Sequence, residues 1–256
     1  MPIALLTDFG TRDYFVAAMK GAVLSIDPKA LIVDITHDIA PQAVLEAAFT
    51  LNACYRDFPL GTIFTVVVDP GVGSERRAIA AESDGYYFAG PDNGVLSFVL
   101  GPNARVFGLE NAEFFAKKVS ATFHGRDIFA PAAAHMSLGF DPSAFGPRVK
   151  DPILLEQRIP KHDDTEVLTG CVLHIDRFGN IITNFKRSDM PESGHLEVNG
   201  TRIANFRRYF ADGPAGELFL IEGSAGLVEI ASYGASAAEI TGAKAAMPVR
   251  VAASAG

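Results

Sequence analysis

Apolar segments of strand length alternate with segments of helical periodicity over the first half of the chain. Short apolar runs predict strands at residues 3–6, 30–35, 62–68, 78–82, 86–89 and 105–109. Apolar residues at helical spacing predict helices at residues 15–26, 42–55 and about 126–138. This alternation predicts an α/β fold in which helices cover a mainly parallel sheet.

The second half of the chain has a different pattern. Residues 150–166 are rich in proline and charge, which predicts a linker. Beyond it we expect strands at residues 172–175, 181–185, 196–198, 201–203, 218–221 and 227–231. The chain is therefore predicted to have an N-terminal α/β domain at residues 1–155 and a smaller all-β, barrel-like C-terminal domain at residues 165–256. The alanine-rich end from Ala243 is expected to be a frayed tail.

Composition and charge narrow the class of protein. The formal net charge is −8, and no cluster of more than two Lys or Arg residues occurs, which argues against a nucleic-acid partner. No apolar run approaches the roughly 20 residues of a membrane span, and the first residues lack a signal-peptide pattern, so we expect a cytoplasmic protein without membrane contact. Cys54 and Cys171 lie far apart without metal-ligand spacing, and we expect both to be small buried side chains.

The stretch that follows the strand at residues 62–68 carries the strongest candidate chemistry. Asp69 stands directly after this strand, and a proline, two glycines and two arginines follow within residues 70–77. Ligands of α/β sheets bind beyond the carboxyl ends of the strands, so Asp69 is expected to face a pocket. The glycines would let backbone come close to a ligand. The alternative interpretation is a tight turn with a surface salt bridge.

Phosphate-binding and metal-binding motifs are not indicated. The glycines at 71 and 73 begin like a dinucleotide-binding fingerprint, but Arg76 occupies the third glycine position and no P-loop sequence occurs. Several side chains could supply metal ligands, namely Asp8, His37, Asp38, Asp69, His124, Asp127 and His135. None of them has a metal-binding spacing, so we do not expect a metal site.

Three histidines have different expected roles. His135 lies in the middle of a predicted helix and is expected to pack. His37 follows a strand and either packs or lines the same crevice as Asp69. His124 comes just before a predicted helix, whose positive end disfavours the imidazolium form. A neutral histidine, a carboxylate and an arginine together can position and polarise a water molecule, although a capping or loop histidine is the alternative for His124.

Several motifs in order along nearly the whole chain identify a family resemblance. The chain resembles the S-adenosylmethionine hydrolases, also called SAM hydroxide adenosyltransferases, which are relatives of the fluorinases and chlorinases. The motifs that carry the resemblance are Thr7-Asp8-Phe9-Gly10 with Asp13, Met19-Lys20-Gly21, Asp34-Ile35-Thr36-His37, Val68-Asp69-Pro70-Gly71-Val72-Gly73-Ser74, Phe123-His124-Gly125-Arg126-Asp127, Asp176-Arg177-Phe178-Gly179-Asn180 and the stretch at residues 222–231.

The resemblance implies a set of site residues. Asp69, Arg76 and His124 would form the water site as the catalytic residues. The substrate-binding residues would be Asp8, Asp13, Asp69, Asp176, Phe178, Asn180, Ser224 and Glu229. Among these, Asp8 would hold the ribose hydroxyls, Asp176 and Ser224 would approach the methionine moiety, and Asn180 and Phe178 would approach adenine. Glu229 matches a position near the ligand, and the resemblance assigns it no role.

The resemblance also implies an activity and an assembly. Water would attack C5′ of S-adenosyl-L-methionine to give adenosine and L-methionine, without a cofactor, in a homotrimer whose sites lie between one subunit's first domain and its neighbour's second. The alternatives are a halogenase and a non-catalytic sensor of S-adenosylmethionine or adenosine. Halogenating relatives place Tyr where this chain has Asp69, and fluorinases place Ser where it has Gly125 and carry a long insertion. Because a carboxylate repels a halide and orients water, hydrolysis is favoured.

Overall fold

A six-stranded sheet forms the centre of the first of two units into which the chain divides, Met1–Leu155 and Glu156–Gly256. The computed structural model describes residues 1–163 and 167–253. The strands of the first unit are β1 (Ile3–Thr7), β2 (Ile32–Thr36), β3 (Ile63–Val67), β4 (Ala78–Ser83), β5 (Tyr86–Pro91) and β6 (Arg105–Gly108). The helices are α1 (Phe15–Ile26), α2 (Val44–Cys54) and α3 (Ala130–Ser137). The predicted domain limits, 1–155 and 165–256, stay a prediction.

The sheet of the first unit is mainly parallel and has helices on both faces. Its strand order is β2-β1-β3-β5-β4-β6, and β4 runs antiparallel to both of its neighbours. Alternate residues of β1 point to opposite sides, so that Leu5 packs with α1 and α3, whereas Leu6 packs with α2. The structure thus confirms the predicted α/β fold with a mainly parallel sheet covered by helices.

The third predicted helix, at about residues 126–138, begins as a different kind of helix. Gly125–Phe129 forms a π-helical turn, which continues into α3. Asp127 lies within this turn, and His124 stands at its N-terminal end, directly before the helix as predicted. Single π-helical turns are frequent at functional sites. The periodicity of the sequence carries no signal that separates such a turn from an α-helix.

The second unit is an antiparallel barrel-like sheet. Its strands are β7 (Lys161–His162), β8 (Leu168–Ile175), β9 (Ile181–Thr183), β10 (Gly194–Val198), β11 (Thr201–Ile203), β12 (Leu218–Glu222), β13 (Val228–Ser232) and β14 (Pro248–Ala253), with a short helix α4 (Ala237–Thr241). The strand order is β11-β10-β14-β8-β9-β13-β12, and β7 pairs with β8. The chain after β11 returns to β12, where the amide of Arg207 donates to the Leu220 carbonyl at 2.8 Å. This contact nearly closes the sheet, as the barrel-like prediction required.

The predicted frayed tail from Ala243 is wrong. Strand β14 lies between β10 and β8, in the interior of the sheet. Val249 and Val251 are buried in the barrel core, and Arg250 between them is exposed. This alternation is a strand signal that the alanine-rich composition of the segment obscures. Residues 254–256 lie outside the described part of the chain, as do residues 164–166 of the predicted linker.

The two cysteines are shielded from solvent to different degrees. Cys171 is buried and Cys54 is half-buried; both are free thiols, and burial raises the pKa of each to about 11. Cys171 is therefore a small buried side chain, as predicted, whereas Cys54 is only partly buried. Within residues 1–163 and 167–253, no helix has the length and apolar character needed to cross a membrane.

Candidate active site

The turn after β3 folds back on itself and brings Arg76 to Asp69. The Ser74 hydroxyl donates to the Gly71 carbonyl at 2.7 Å, and the Arg76 amide donates back to that hydroxyl at 3.2 Å. The guanidinium of Arg76 then donates from Nε to Asp69 Oδ1 at 2.9 Å and from Nη2 to Asp69 Oδ2. This two-point geometry holds the carboxylate in one orientation. The interpretation of this turn as a surface salt bridge is wrong, because the Asp69 and Arg76 side chains are only 4% and 11% exposed.

His124 completes the cluster, which we call the triad: Asp69, Arg76 and His124. Arg76 Nη2 lies 2.8 Å from His124 Nδ1. An arginine in a protein is always a donor, so Nδ1 must accept this hydrogen bond, and the proton of the neutral ring is assigned to Nε2. The structure therefore brings together the three residues that the sequence places on two separate turns. Arg76 lies between the other two and contacts both.

The surroundings keep His124 neutral. Burial and the neighbouring Arg76 guanidinium lower the pKa of the imidazole, against the opposing effect of Asp69 and Asp127. The sequence predicts a neutral ring from the helix end, whereas the largest cause in the structure is desolvation. The ring of Phe129 contributes to this dry environment, since the Arg76 guanidinium lies 5.4 Å from its centroid.

The turn that carries His124 is ordered by Asp127. This buried carboxylate accepts hydrogen bonds from the Ser120 amide at 2.8 Å and from Arg126 Nε at 2.6 Å. Burial opposes its ionisation, but the hydrogen bonds from Arg126 and Ser120 outweigh that effect and lower the pKa of Asp127. Asp127 is one of the side chains that could supply a metal ligand by residue type. In the structure it instead holds in place the turn that carries His124.

Gly73 joins the two turns of the triad. Its φ is +79°, and a Cβ at this position would lie 2.2 Å from the carbonyl oxygen of Ala121, shortly before His124. A Gly73→Ala variant is therefore expected to lose about 1–3 kcal/mol of stability and to separate the turns, which lowers turnover. The matched control is Gly139→Ala, where φ is +95° and no atom lies within 4 Å of the added Cβ. Thermal unfolding and turnover per folded molecule test the pair, and wild-type turnover in Gly73→Ala would contradict the expectation.

Asp69 and His124 face a cavity of about 390 Å³ in the first unit, which we call the triad cavity. Asp8 also lines it, and its Oδ2 accepts a hydrogen bond from the Gln42 amide at 2.8 Å. The remaining lining residues are Phe9, Phe15, Pro41, Gln42, Val67, Pro70, Val72, Thr122, Phe123 and Gly125. Asp13, which the resemblance placed among the substrate-binding residues, is exposed and is not part of this lining.

The other two candidate histidines have structural roles. His37 is buried and joins β1 to β2, because its Nδ1 lies 2.9 Å from the Thr7 hydroxyl and its Nε2 lies 3.0 Å from Asp34. It packs and does not line the triad cavity. The ring of His135 packs edge-on against Phe114 at a centroid distance of 5.0 Å, as expected for a packing residue. Within the described residues, no group of three His, Cys, Asp or Glu side chains is arranged to hold a metal ion.

A second cavity, of about 770 Å³, lies in the second unit, and we call it the β13 pocket. Five residues that the resemblance indicates line it together: Asp176, Phe178, Asn180, Ser224 and Glu229. The turn at residues 176–180 is stabilised by Asp176, whose Oδ1 accepts from the Phe178 amide at 2.8 Å and whose Oδ2 accepts from Asn180 Nδ2 at 2.8 Å. This turn leaves the Phe178 ring 78% exposed beside the pocket.

Sequence reasoning missed part of the β13 pocket. Phe210 and Tyr233 add two more half-exposed aromatic rings to its lining, and Ser232 adds a hydroxyl. Phe210 lies in a 3₁₀ turn far from the recognised motifs, and Tyr233 directly follows β13. Neither position has a periodicity or motif that points to a site. An aromatic, acid-lined pocket of this kind suits a flat ring and a positive charge.

Comparisons with known proteins cover almost the whole chain. The family model described as the SAM hydroxide adenosyltransferase N-terminal domain matches residues 3–146, and that of the C-terminal domain matches residues 170–250. A relative from Thermus thermophilus named (R)-S-adenosyl-L-methionine hydrolase is 42% identical over 98% of this chain and 99% of its own length. A fluorinase from Actinoplanes is 29% identical over 75% of this chain and 74% of its own length. The solved structure of a conserved protein from Thermotoga maritima has a TM-score of 0.88 and 35% identity, and it covers 98% of this chain and 100% of that chain.

Proposed function

Because the chain belongs to the SAM hydroxide adenosyltransferase family, we propose that it hydrolyses S-adenosyl-L-methionine to adenosine and L-methionine. The observation that carries the proposal is the contact of Arg76 with both Asp69 and His124 beside the triad cavity. A carboxylate, a guanidinium and a neutral imidazole can together hold a water molecule and stabilise its conversion to hydroxide. The reaction proceeds without a metal or an organic cofactor.

The proposed reaction is a single displacement at C5′. The water oxygen forms a bond to C5′ as the bond from C5′ to sulfur breaks, and its electron pair goes to sulfur. The sulfonium leaves as the neutral thioether of methionine, so the leaving group needs no proton. One proton passes from the attacking water to the Asp69 carboxylate, and the catalytic demand therefore falls on the nucleophile. Alignment of water, C5′ and sulfur supplies a large part of the acceleration.

Each triad residue has a distinct task in this proposal. Arg76 holds the Asp69 carboxylate, which still has free acceptor sites. Asp69 therefore binds the attacking water and accepts a proton from it. Arg76 stabilises the negative charge that develops on the oxygen. His124 accepts from Arg76 at Nδ1 and therefore presents its Nε2 proton as a donor that orients the water.

The substrate-binding roles that we propose are those that the family resemblance implies. We propose that Asp8 holds the ribose hydroxyls, supported by its position on the lining of the triad cavity. Asp176 and Ser224 would approach the methionine moiety, and Asn180 and Phe178 would approach adenine, supported by their shared place in the β13 pocket. Asp13 is proposed as a substrate contact from the family motif alone. We also propose a cytoplasmic homotrimer in which each site takes the first unit of one subunit and the second unit of its neighbour.

The proposal is tested by product analysis with and without halide. Purified protein is incubated with S-adenosylmethionine in buffer alone, in about 1 M chloride and in fluoride, and the products are separated by chromatography. Adenosine and L-methionine in equal amounts, with no 5′-halo-5′-deoxyadenosine under any condition, are expected because Asp69 repels an anion at the triad. A halogenated nucleoside would contradict hydrolysis as the main reaction, and substrate recovered unchanged would support a sensor.

The acid side of the pH profile reports on His124. Since burial and Arg76 lower the pKa of this imidazole below its ordinary 6.5, the neutral form persists as pH falls from 8 to 6.5. Turnover is therefore expected to stay level over this range and to fall only at lower pH, where a protonated ring can no longer accept from Arg76. The turnover number measured between pH 5 and 8.5 tests this, and a rise on acidification would contradict it.

A further inference from the structure

Glu229 is buried at the wall of the β13 pocket. On strand β13 it faces Ile221 of β12 on one side and Ile182 of β9 on the other, and it is only 8% exposed. Its carboxyl group lies directly against the backbone of Gly223, because a Cβ added to that glycine would be 1.7 Å from Glu229 Oε1. Any larger residue at position 223 would displace the carboxyl group. The strand and the glycine together hold it at the edge of the pocket.

The half-buried Asp176 and the buried Glu229 differ in the hydrogen bonds of their carboxyl groups. Asp176 uses both carboxylate oxygens within its own turn, where they accept from the Phe178 and Asn180 amides and from Asn180 Nδ2. In the described part of the chain, no hydrogen bond or ion pair reaches the Glu229 carboxyl group. The Ser232 hydroxyl, buried on the same lining, also lacks a partner there. Buried polar groups without partners in a cavity point to a ligand that supplies them.

The charge of the pocket indicates what the ligand must supply. Three acids line it, Asp176, Glu222 and Glu229, and among the described residues no Lys, Arg or His does. Burial and the nearby Asp176 raise the pKa of Glu229 to about 7. An acid in this state lacks a positive charge beside it. A cation with N–H donors would satisfy both the charge and the hydrogen bonds.

We propose that Glu229 receives the α-ammonium group of the amino-acid part of S-adenosylmethionine and thereby selects substrates that carry it. This inference rests on the proposed function. S-adenosylmethionine has two positive groups, but the sulfonium has no N–H and is bonded to C5′, where the water held by the triad must attack. The α-ammonium has three donors and needs an acceptor that no other group already uses. Glu229 provides that acceptor, next to the Ser224 hydroxyl that faces the same pocket.

The test compares two substrates in three proteins. The substrates are S-adenosylmethionine and 5′-(dimethylsulfonio)-5′-deoxyadenosine, which keeps the sulfonium but lacks the amino-acid part. Glu229→Gln is expected to lower kcat/KM for S-adenosylmethionine by about 10- to 100-fold, mainly through KM, because a hydrogen bond to a charged group is lost. The same variant is expected to change kcat/KM for the dimethylsulfonium analogue by less than about twofold. Glu217→Gln is the matched control: it removes an exposed acid directly before β12 that does not line the pocket, and it is expected to leave both substrates within about threefold.

A second readout follows from the titration of Glu229. The titratable groups around it are Asp176, Glu222 and Tyr233. The ammonium binds the ionised carboxylate, so KM for S-adenosylmethionine in the wild type is expected to fall as pH rises from 6 to 8. This dependence should be absent in Glu229→Gln and absent for the analogue. Thermal unfolding shows that the variant is folded.

The outcomes separate this inference from the proposed function. Unchanged kcat/KM for S-adenosylmethionine in Glu229→Gln, or an equal loss for both substrates, would overturn the role of Glu229. Wild-type protein that binds S-adenosylmethionine without cleaving it would contradict hydrolysis alone, and dissociation constants from calorimetry then replace kcat/KM in the same comparison. Wild-type protein that does not bind S-adenosylmethionine would overturn both.

Discussion

Asp69→Asn, Arg76→Ala and His124→Ala are each expected to slow the hydrolysis of S-adenosylmethionine by about 10²-fold or more. The reason is the connection of the triad: Arg76 contacts both other members, so the loss of any one releases the orientation of the rest. Turnover per folded molecule is the measurement. Because the three side chains act as a unit, the double variant Asp69→Asn/His124→Ala should be little slower than either single variant.

A neighbouring arginine provides the matched control for Arg76. Arg77 also pairs with a nearly buried aspartate, Asp92, whose side chain is 1% exposed, but it does not contact the triad. Arg76→Ala and Arg77→Ala therefore both remove an arginine from a buried carboxylate, and only the first is expected to lose turnover. Wild-type turnover in all three triad variants, or an equal loss in Arg77→Ala, would contradict the assignment of the triad.

Arg77→Ala is expected to lower the free energy of unfolding by about 3 kcal/mol. Asp92 accepts from Arg77 Nε at 2.7 Å and from the Ile153 amide at 2.8 Å, so the variant leaves a buried carboxylate with only the amide. Arg77 also donates to Asp151 at 2.8 Å, which holds the end of the first unit to its sheet. Urea unfolding measures the loss. In Arg77→Ala/Asp92→Asn the charge is gone, and the loss should be smaller; an equal or larger loss would show that the charge is not the cause.

The strands and helices of the first unit are the part of the fold that the sequence predicts best. Alternation and helical spacing predict β1, α1 and β3 to within about two residues at each end, because each has one dominant periodicity. Strand β14 is not predicted from the sequence, because alanines surround its short segment of alternating buried and exposed residues. The π-helical turn before α3 is not predicted either, because its pattern of apolar and polar side chains differs little from that of an α-helix.

The sequence likewise predicts only part of the candidate site. The rule that ligands bind beyond strand ends predicts a pocket at Asp69, and the structure has a cavity there. Only the family resemblance predicts that His124 lies close to Asp69, because 55 residues of chain separate the two and no periodicity relates them. The position of Arg76 between them, and hence the tautomer of His124, depends on how the turn at residues 69–76 folds back. Only the folded barrel identifies Tyr233 and Phe210 as pocket residues, because they reach the β13 pocket from separate loops.

The central claim is that water attacks C5′, and isotope labelling tests it most directly. Purified protein is incubated with S-adenosylmethionine in ¹⁸O-labelled water, and the products are resolved by mass. We predict adenosine that carries the label at its 5′ oxygen, together with unlabelled L-methionine. Adenosine without the label, or a label in any other product, would contradict attack of water at C5′.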